Sequence, residues 1–416
     1  MQSREKRRWK SWPDGLSIVI FCILLVAPMI GQFADLSGAE EISRIELRSP
    51  SKWPSLPANV AQIKEWPGRM SAYLDDYFGF RQWLAALDSQ VRVLMGSSGS
   101  GKVLVGKGGW LFSRDDRLLQ EHRGAVPFEK SEIDTWLRAL RRRQRWLEKH
   151  SIQHIFVICP TKYEVYADYL PEWAQAVGST RFDAIKEGVR TETNVDLVDL
   201  KPILRKARKE TTKLLYSKND THWTDDGSTI GYRVIMEAVA SYYPNIHIAE
   251  RGRDYRFVPG RAPGGLRRMM NNWWGFEEGL YDTISVFPRP AFFRAARVLD
   301  DGKWEACRPR DVGWDLNRPA VVETSLIDAP RVLIFRDSFT IGIHSLLKLS
   351  FSALMFAKHK GNVLDTNLIR EFKPNLVIYE MIDDVLMFPP RFDPAHIEAR
   401  KRQKRARREA RSGDNR

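Results

Sequence analysis

Three continuous apolar runs near the C-terminus constrain the fold more than any other feature. Residues 331–335, 351–357 and 376–380 read as strands, separated by helical patterns at 340–348 and 365–372. Strands without polar alternation are buried on both faces, and strands joined through helices run parallel. The same alternation occurs earlier. A helical pattern at 129–149 precedes the apolar run 154–159, and another at 180–193 precedes a strand-like 195–200. The expectation is an α/β fold, a three-layer αβα arrangement with a parallel central sheet. Residues 245–328 break the period. Prolines, glycines and arginines are frequent there, and aromatics cluster (Trp273, Trp274, Phe276, Phe287, Phe292, Phe293). This reads as an irregular or β insertion whose aromatics pack a core or stack on sugar rings.

The N-terminus sets the compartment. Arg4, Lys6, Arg7, Arg8 and Lys10 precede an uncharged run from Leu16 to Ile30. A basic flank before an apolar run keeps the N-terminus inside and exports the remainder. Gly31-Gln32-Phe33 and Trp12-Pro13 extend the run towards the ~20 residues a span needs. An uncleaved single-pass anchor is expected, with cleavage after Ser37-Gly38-Ala39 as the alternative. The expected divisions are 1–33 (basic flank and anchor), 34–72 (a polar linker with Pro50, Pro54, Pro57 and Pro67), 73–390 (the α/β domain with its 245–328 insertion) and 391–416 (a basic tail). The net charge of +14 and 14 tryptophans suit sugars, anionic polymers or membrane surfaces. Nucleic acid is not expected, for no zinc-finger spacing, RNP-like motif or Walker loop is present. The glycines of Gly106-Lys-Gly-Gly109 lack the following Lys-Ser/Thr of a phosphate loop. On the 129–149 helix, Ile133, Trp136, Leu137, Leu140 and Leu147 share one face, while Arg138, Arg141, Arg142, Arg143 and Arg145 read as a charged, solvated one. Cys22, Cys159 and Cys307 contain no CxxC pair, so no zinc site is expected. Free thiols are the simpler reading, with a Cys159–Cys307 disulfide as the alternative.

Two stretches carry chemistry. Asp220-Thr221-His222-Trp223 puts a carboxylate and an imidazole two positions apart. Arg336-Asp337-Ser338-Phe339 ends the buried run 331–335. A serine at a strand end with an Asp/His pair elsewhere is what nucleophilic acyl transfer needs: Ser338 attacks, His222 takes its proton, and Asp220 orients the imidazole. Asp337 reads as a structural turn residue, and His154 and His344 as structural histidines.

The flanks of these stretches resemble a known family. Ile334-Phe-Arg-Asp-Ser-Phe339 resembles the first block of SGNH hydrolases. Lys373-Pro-Asn-Leu-Val-Ile-Tyr379 resembles the strand leading to their Asn-containing block. Phe156-Val-Ile-Cys-Pro160 resembles the strand before the terminal block, and Asp220-Thr-His222 that Asp-His block itself. The order is rotated, with the Asp/His pair before the serine. That circular permutation, with the Asp-x-His-Trp signature, resembles the alginate O-acetyltransferase-like branch. Gly109-Trp-Leu-Phe112, Pro160-Thr-Lys162 with Tyr166 and Tyr169-Leu-Pro171, and Gly265-Leu266 with Met269 resemble its recurrent segments. The likeness spans residues 73–388.

The resemblance implies an extracytoplasmic enzyme that moves acetyl groups onto polysaccharide hydroxyls through an acetyl-Ser338 intermediate. It implies no cofactor or metal. The acetyl donor would be relayed by a membrane-bound O-acyltransferase partner, and the chain would sit in the inner membrane with its domain in the periplasm or otherwise outside the cytoplasm. Four further residues are substrate-binding or oxyanion candidates. Arg336 stands where the hydrolases have Gly. Glu380 lies near where their oxyanion Asn would be. Trp223 either walls the site or packs His222, and Lys162 either meets substrate or pairs with a carboxylate. The alternatives are a carbohydrate acetylesterase with the same triad and a non-catalytic polysaccharide-binding assembly protein.

Overall fold

The computed structural model describes residues 11–34, 36–45, 48–95, 98, 100–126, 128–261, 264–270, 280–287, 292–298, 302–359 and 361–390. The basic flank 1–10, the tail 391–416 and Trp273, Trp274 and Phe276 lie outside them. The chain forms two compact units, Met1–Val105 with Gly265–Glu277 and Gly106–Gly264 with Glu278–Arg416.

In the first unit, α1 (Ser11–Phe33) contains Gly15–Phe33, whose 19 residues have a mean hydropathy of 2.4, long and apolar enough to cross a membrane. The stretch 34–72, expected as a linker, carries most of α2 (Val60–Tyr77). Its start is fixed by Asn59, whose Oδ1 accepts the Gln62 N–H at 2.9 Å, a capping signal that the surrounding prolines mask. Then α3 (Arg81–Leu94) follows a tight turn. A Cβ at Gly79 would stand 2.1 Å from the Pro28 carbonyl, so only glycine lets that turn rest on α1.

The second unit holds the α/β fold. Its main strands are β1 (Gln153–Cys159), β2 (Asp196–Asp199), β3 (Tyr255–Arg261), β4 (Leu280–Val286), β5 (Phe292–Val298), β6 (Trp304–Ala306), β7 (Ala320–Thr324), β8 (Arg331–Arg336), β9 (Ala353–Lys358) and β10 (Leu376–Ile382). Eight of them form one sheet in the order β2-β1-β10-β8-β9-β7-β5-β6. From β2 to β9 the pairing is parallel, as expected. Beyond β9 it is antiparallel. The sheet is therefore mixed, not wholly parallel. The 245–328 insertion does not stand apart from the core: β5, β6 and β7 prolong its sheet, while β3 and β4 form a separate antiparallel ribbon.

Both sheet faces are covered, which is why the central strands are apolar throughout. On one face pack α4 (Lys130–Lys149), α5 (Arg181–Glu192) and, further along the chain, the helix Thr366–Phe372. Trp136, Leu137, Leu140 and Leu147 of α4 are buried with Phe182, Ile185, Phe335, Ile369 and Phe372. Each such side chain contributes about 2 kcal/mol by leaving water. Next to α6 (Lys201–Glu210), α7 (Asp225–Ala240) brings Tyr232, Ile235, Met236 and Val239 into the interior outside that cluster. Arg143 departs from the expected solvated face. It is fully buried, its guanidinium 4.2 Å from the Tyr379 ring centroid and bonded to the Asn362 main-chain and side-chain oxygens. All three cysteines are free thiols, Cys159 buried among them.

Candidate active site

Ser338 sits where β8 ends. From β8 the chain continues to β9 on one side, while β10 pairs on the other. Such a switch point leaves a crevice outside the carboxyl ends of the strands. The expected helix at 340–348 is instead a 3-10 turn (Phe339–Gly342) and one α-turn, α8 (His344–Leu347). Two carboxylates shape the serine turn. Asp337 accepts the Phe339 N–H at 2.8 Å on Oδ1 and the Ile382 N–H at 2.7 Å on Oδ2. Glu380 Oε2 accepts the Asp337 N–H at 3.2 Å and the Thr340 hydroxyl at 2.6 Å. Burial and the neighbouring Glu380 push the Asp337 carboxyl well above the usual range.

His222 arrives on a different loop, between α6 and α7. Tyr216 bridges Trp223, and the Ser217 N–H meets the His222 carbonyl at 3.0 Å, closing a short hairpin. Thr224 then caps α7, its hydroxyl accepting the Gly227 N–H at 3.2 Å. The two turns lock together at Gly342, where a Cβ would fall 2.6 Å from Trp223 Nε1 and 2.9 Å from Ser228 Cβ.

The result brings Ser338, His222 and Asp220 into one line. His222 Nε2 lies 2.7 Å from Ser338 Oγ, and His222 Nδ1 lies 2.6 Å from Asp220 Oδ1. Asp220 Oδ1 also accepts the His222 backbone N–H at 3.1 Å. The Asp220 side chain is 6% exposed and the imidazole 34% exposed. A carboxylate shielded from water fixes the Nδ1–H tautomer, so Nε2 presents its lone pair to the hydroxyl. The Phe339 ring flanks the imidazole, with centroids 5.4 Å apart, and limits its swing. Motif reading carried Phe339 only as the flank of the serine and missed Thr340, which follows it.

The four further candidates lie around this line, facing inward. Arg336 is buried over the Phe356 ring and donates to the carbonyls of Asp315 at 3.2 Å and Asp337 at 3.3 Å. Burial lowers its pKa to about 10. Glu380 is buried and braces the serine turn as described. Trp223 is buried, its indole donating to the Phe339 carbonyl at 3.1 Å, so it packs the two turns together. Among the described residues Lys162 makes no close ion pair, although the nearby Asp220 charge favours its protonated form. Its buried ammonium donates to the carbonyls of Ser217 at 2.9 Å, Asp220 at 2.6 Å and Lys218 at 3.4 Å, spending its protons on the loop that holds Asp220. His154 and His344 are buried structural histidines, both pushed down to about 3 by burial. Among the described residues no group of three or more His, Cys, Asp or Glu side chains is placed to hold a metal ion.

Burial pushes the Lys162 ammonium down to about 7. Below pH 7 the fold bears the cost of a buried charge. As pH rises from 7 towards 10.5 the unfolded chain holds that proton and the fold does not, so this group's contribution to stability rises. Lys162→Met removes the pH-dependent share and orphans loop carbonyls, at about 1–3 kcal/mol for a buried group. The variant is expected to melt below wild type, by a margin that widens from pH 7 to pH 9. Parallel melting curves across that range would sink the assignment.

The fold and this line of side chains define an SGNH-like α/β protein with a mixed sheet. The resemblance to the alginate O-acetyltransferase-like family holds: residues 103–287 match the SGNH hydrolase-like domain of the acetyltransferase AlgX. The matched segment contains Asp220 and His222 and ends before Ser338. Among solved structures, Bacillus cereus PatB1 with a sulfonyl adduct superposes with a TM-score of 0.52 at 16% identity, covering 69% of this chain and 97% of that one. The O-acetyltransferase domain of Pseudomonas putida AlgJ gives a TM-score of 0.44 at 16% identity, covering 71% and 94%. No curated protein sequence matches the chain.

Proposed function

We propose that this chain is an extracytoplasmic O-acetyltransferase that modifies a polysaccharide through an acetyl-Ser338 intermediate. The observation that carries the reading is the His222 imidazole, held between Asp220 at 2.6 Å and Ser338 at 2.7 Å. In the first half-reaction Ser338 Oγ attacks the donor's acetyl carbonyl and passes its proton to His222 Nε2. The tetrahedral oxyanion is met by the Ser338 backbone N–H. Its collapse expels the donor oxygen, which takes the proton from His222. In the second half a sugar hydroxyl attacks acetyl-Ser338, giving its proton to His222, and Ser338 leaves and recovers that proton. Asp220 stabilises the imidazolium in both halves.

The family match and the apolar helix α1 support a chain anchored in the inner membrane with the α/β unit outside the cytoplasm. There the acetyl donor would come from a membrane-bound O-acyltransferase partner. The test uses the full chain in detergent with 4-nitrophenyl acetate. A single acetyl adduct by intact mass, discharged faster by oligosaccharide than by water, is the expected result. Discharge to water alone, at a rate no sugar changes, would convert the reading to an esterase.

A further inference from the structure

Of the five arginines on α4 only Arg143 is buried. Arg138, Arg141, Arg142 and Arg145 recur at i, i+3, i+4 and i+7, which puts them on one outward stripe about 10 Å long. They line a groove of about 760 Å³ between α4 and the turn Thr193-Asn194-Val195 that follows α5. Folding makes little use of Arg138 and Arg145. Arg138 Nη2 donates to Thr135 Oγ1 at 2.9 Å, and among the described residues no carboxylate pairs with either arginine. Arg141 stands 3.7 Å from Glu192, where both side chains are half-exposed. Glu148, the other carboxylate of the groove, accepts the Gln144 amide at 2.9 Å. Four guanidiniums thus share the groove with two carboxylates, and positive charge is left over.

The stripe has a neighbour of the same sign. Pro390 also lines the groove, and the chain runs on from it into the basic tail, where Arg400 to Arg416 holds nine Lys or Arg against two acids. Neither element can neutralise the other, so both call for an anionic partner. The cations are spread along the chain without a pocket for one compact ligand, which suits a partner that repeats its charge. No aromatic side chain lines the groove, so a sugar ring finds no face to stack on. A guanidinium fork fits two phosphate oxygens through parallel N–H bonds. In a chain held at a bilayer by α1, phospholipid headgroups are the phosphates at high local concentration, and a cluster of about four to eight Lys or Arg is enough to hold an anionic leaflet.

We propose that the arginine stripe of α4 binds anionic phospholipid headgroups, together with the basic segment that follows Pro390, and so docks the α/β unit on a bilayer surface. The proposal rests on the reading of α1 as an anchor. The full chain is first reconstituted through α1 into phosphatidylcholine nanodiscs, and a chain that does not enter them marks failure of that reading alone. Vesicles are then added, either of phosphatidylcholine or of one part phosphatidylglycerol to two parts phosphatidylcholine, and binding is read by co-flotation. With α1 already occupied, flotation reports the outward surface. Wild type is expected to float with the anionic vesicles only, and to be released at about 1 M NaCl, where the Debye length falls to about 3 Å. Arg138→Gln combined with Arg145→Gln weakens vesicle binding by about twentyfold, about fivefold for each guanidinium. Arg117→Gln combined with Arg233→Gln removes the same charge from side chains 76% and 77% exposed elsewhere, and leaves binding within about twofold of wild type. A hexamer of glucuronate is titrated alongside, and a tighter complex with it than with the vesicles would make the face a glycan surface instead. The proposal is also overturned if wild type floats with neither vesicle, if it stays bound at high salt, or if the stripe variant floats as wild type does, which would leave lipid binding to the tail alone.

Discussion

Ser338→Ala yields a chain that takes no acetyl group from 4-nitrophenyl acetate and transfers none to sugar, at the melting temperature of wild type. The expected loss in turnover is about 10⁴-fold or more, the range seen when an activated nucleophile is removed from a triad. Little packing goes with it. The turn around Ser338 is held by main-chain bonds to Asp337 and Glu380, which the alanine keeps. Only the 2.7 Å contact to His222 is lost. Intact mass gives the adduct, and calorimetry confirms that the fold is unchanged. An alanine variant that still acquires one acetyl group would place the nucleophile elsewhere.

The second large effect is expected at Asp220. Asp220→Asn keeps the side-chain shape but puts an amide where Nδ1–H needs an acceptor. The amide N–H₂ facing Nδ1 draws the imidazole into the other tautomer, with its proton on Nε2 and no lone pair for Ser338. The expected loss is about 10³- to 10⁴-fold in the rate of acetyl-enzyme formation. It should be partly relieved at high pH, where the serine hydroxyl needs less help from a base. The measurement is the burst rate with 4-nitrophenyl acetate from pH 6 to pH 10. A wild-type burst in this variant would mean that another group orients His222, despite the 2.6 Å contact.

The legible part of this molecule is the part written locally. The apolar runs at 154–159, 331–335, 351–357 and 376–380 are strands in the structure because both faces of each are covered. Asp220, His222 and Ser338 could be picked out because their residue types and strand-end position carry the chemistry. What stayed hidden depends on partners far along the chain. Lys162 looked able to face substrate, yet its ammonium meets carbonyls 55 to 58 residues away. Arg143 follows the charged period of α4, yet Asn362 and the Tyr379 ring receive it. Arg336 read as a site residue by its place two residues before Ser338, and Glu380 by lying near where the hydrolases' oxyanion Asn would be. The pleat turns both inward, where they brace the turn. The antiparallel strands β5 to β7 were obscured by prolines and arginines that belong to the sheet's short, partly exposed outer edge.

The spacing of the site along the chain also sets an order of assembly. Asp220 and His222 are two residues apart and share a hairpin that closes on itself, whereas His222 and Ser338 are separated by 116 residues. Strand β1 must wait for β10, its neighbour from Leu376 onwards, before its inner edge is paired. In a chain made N-terminus first, the base and its carboxylate appear long before the hydroxyl they meet. The centre strands of the sheet arrive last. Until they do, the emerging segment carries an imidazole with no serine to activate and an open strand edge that invites mispairing. Completion of the sheet and completion of the reactive centre are therefore one event, late in synthesis.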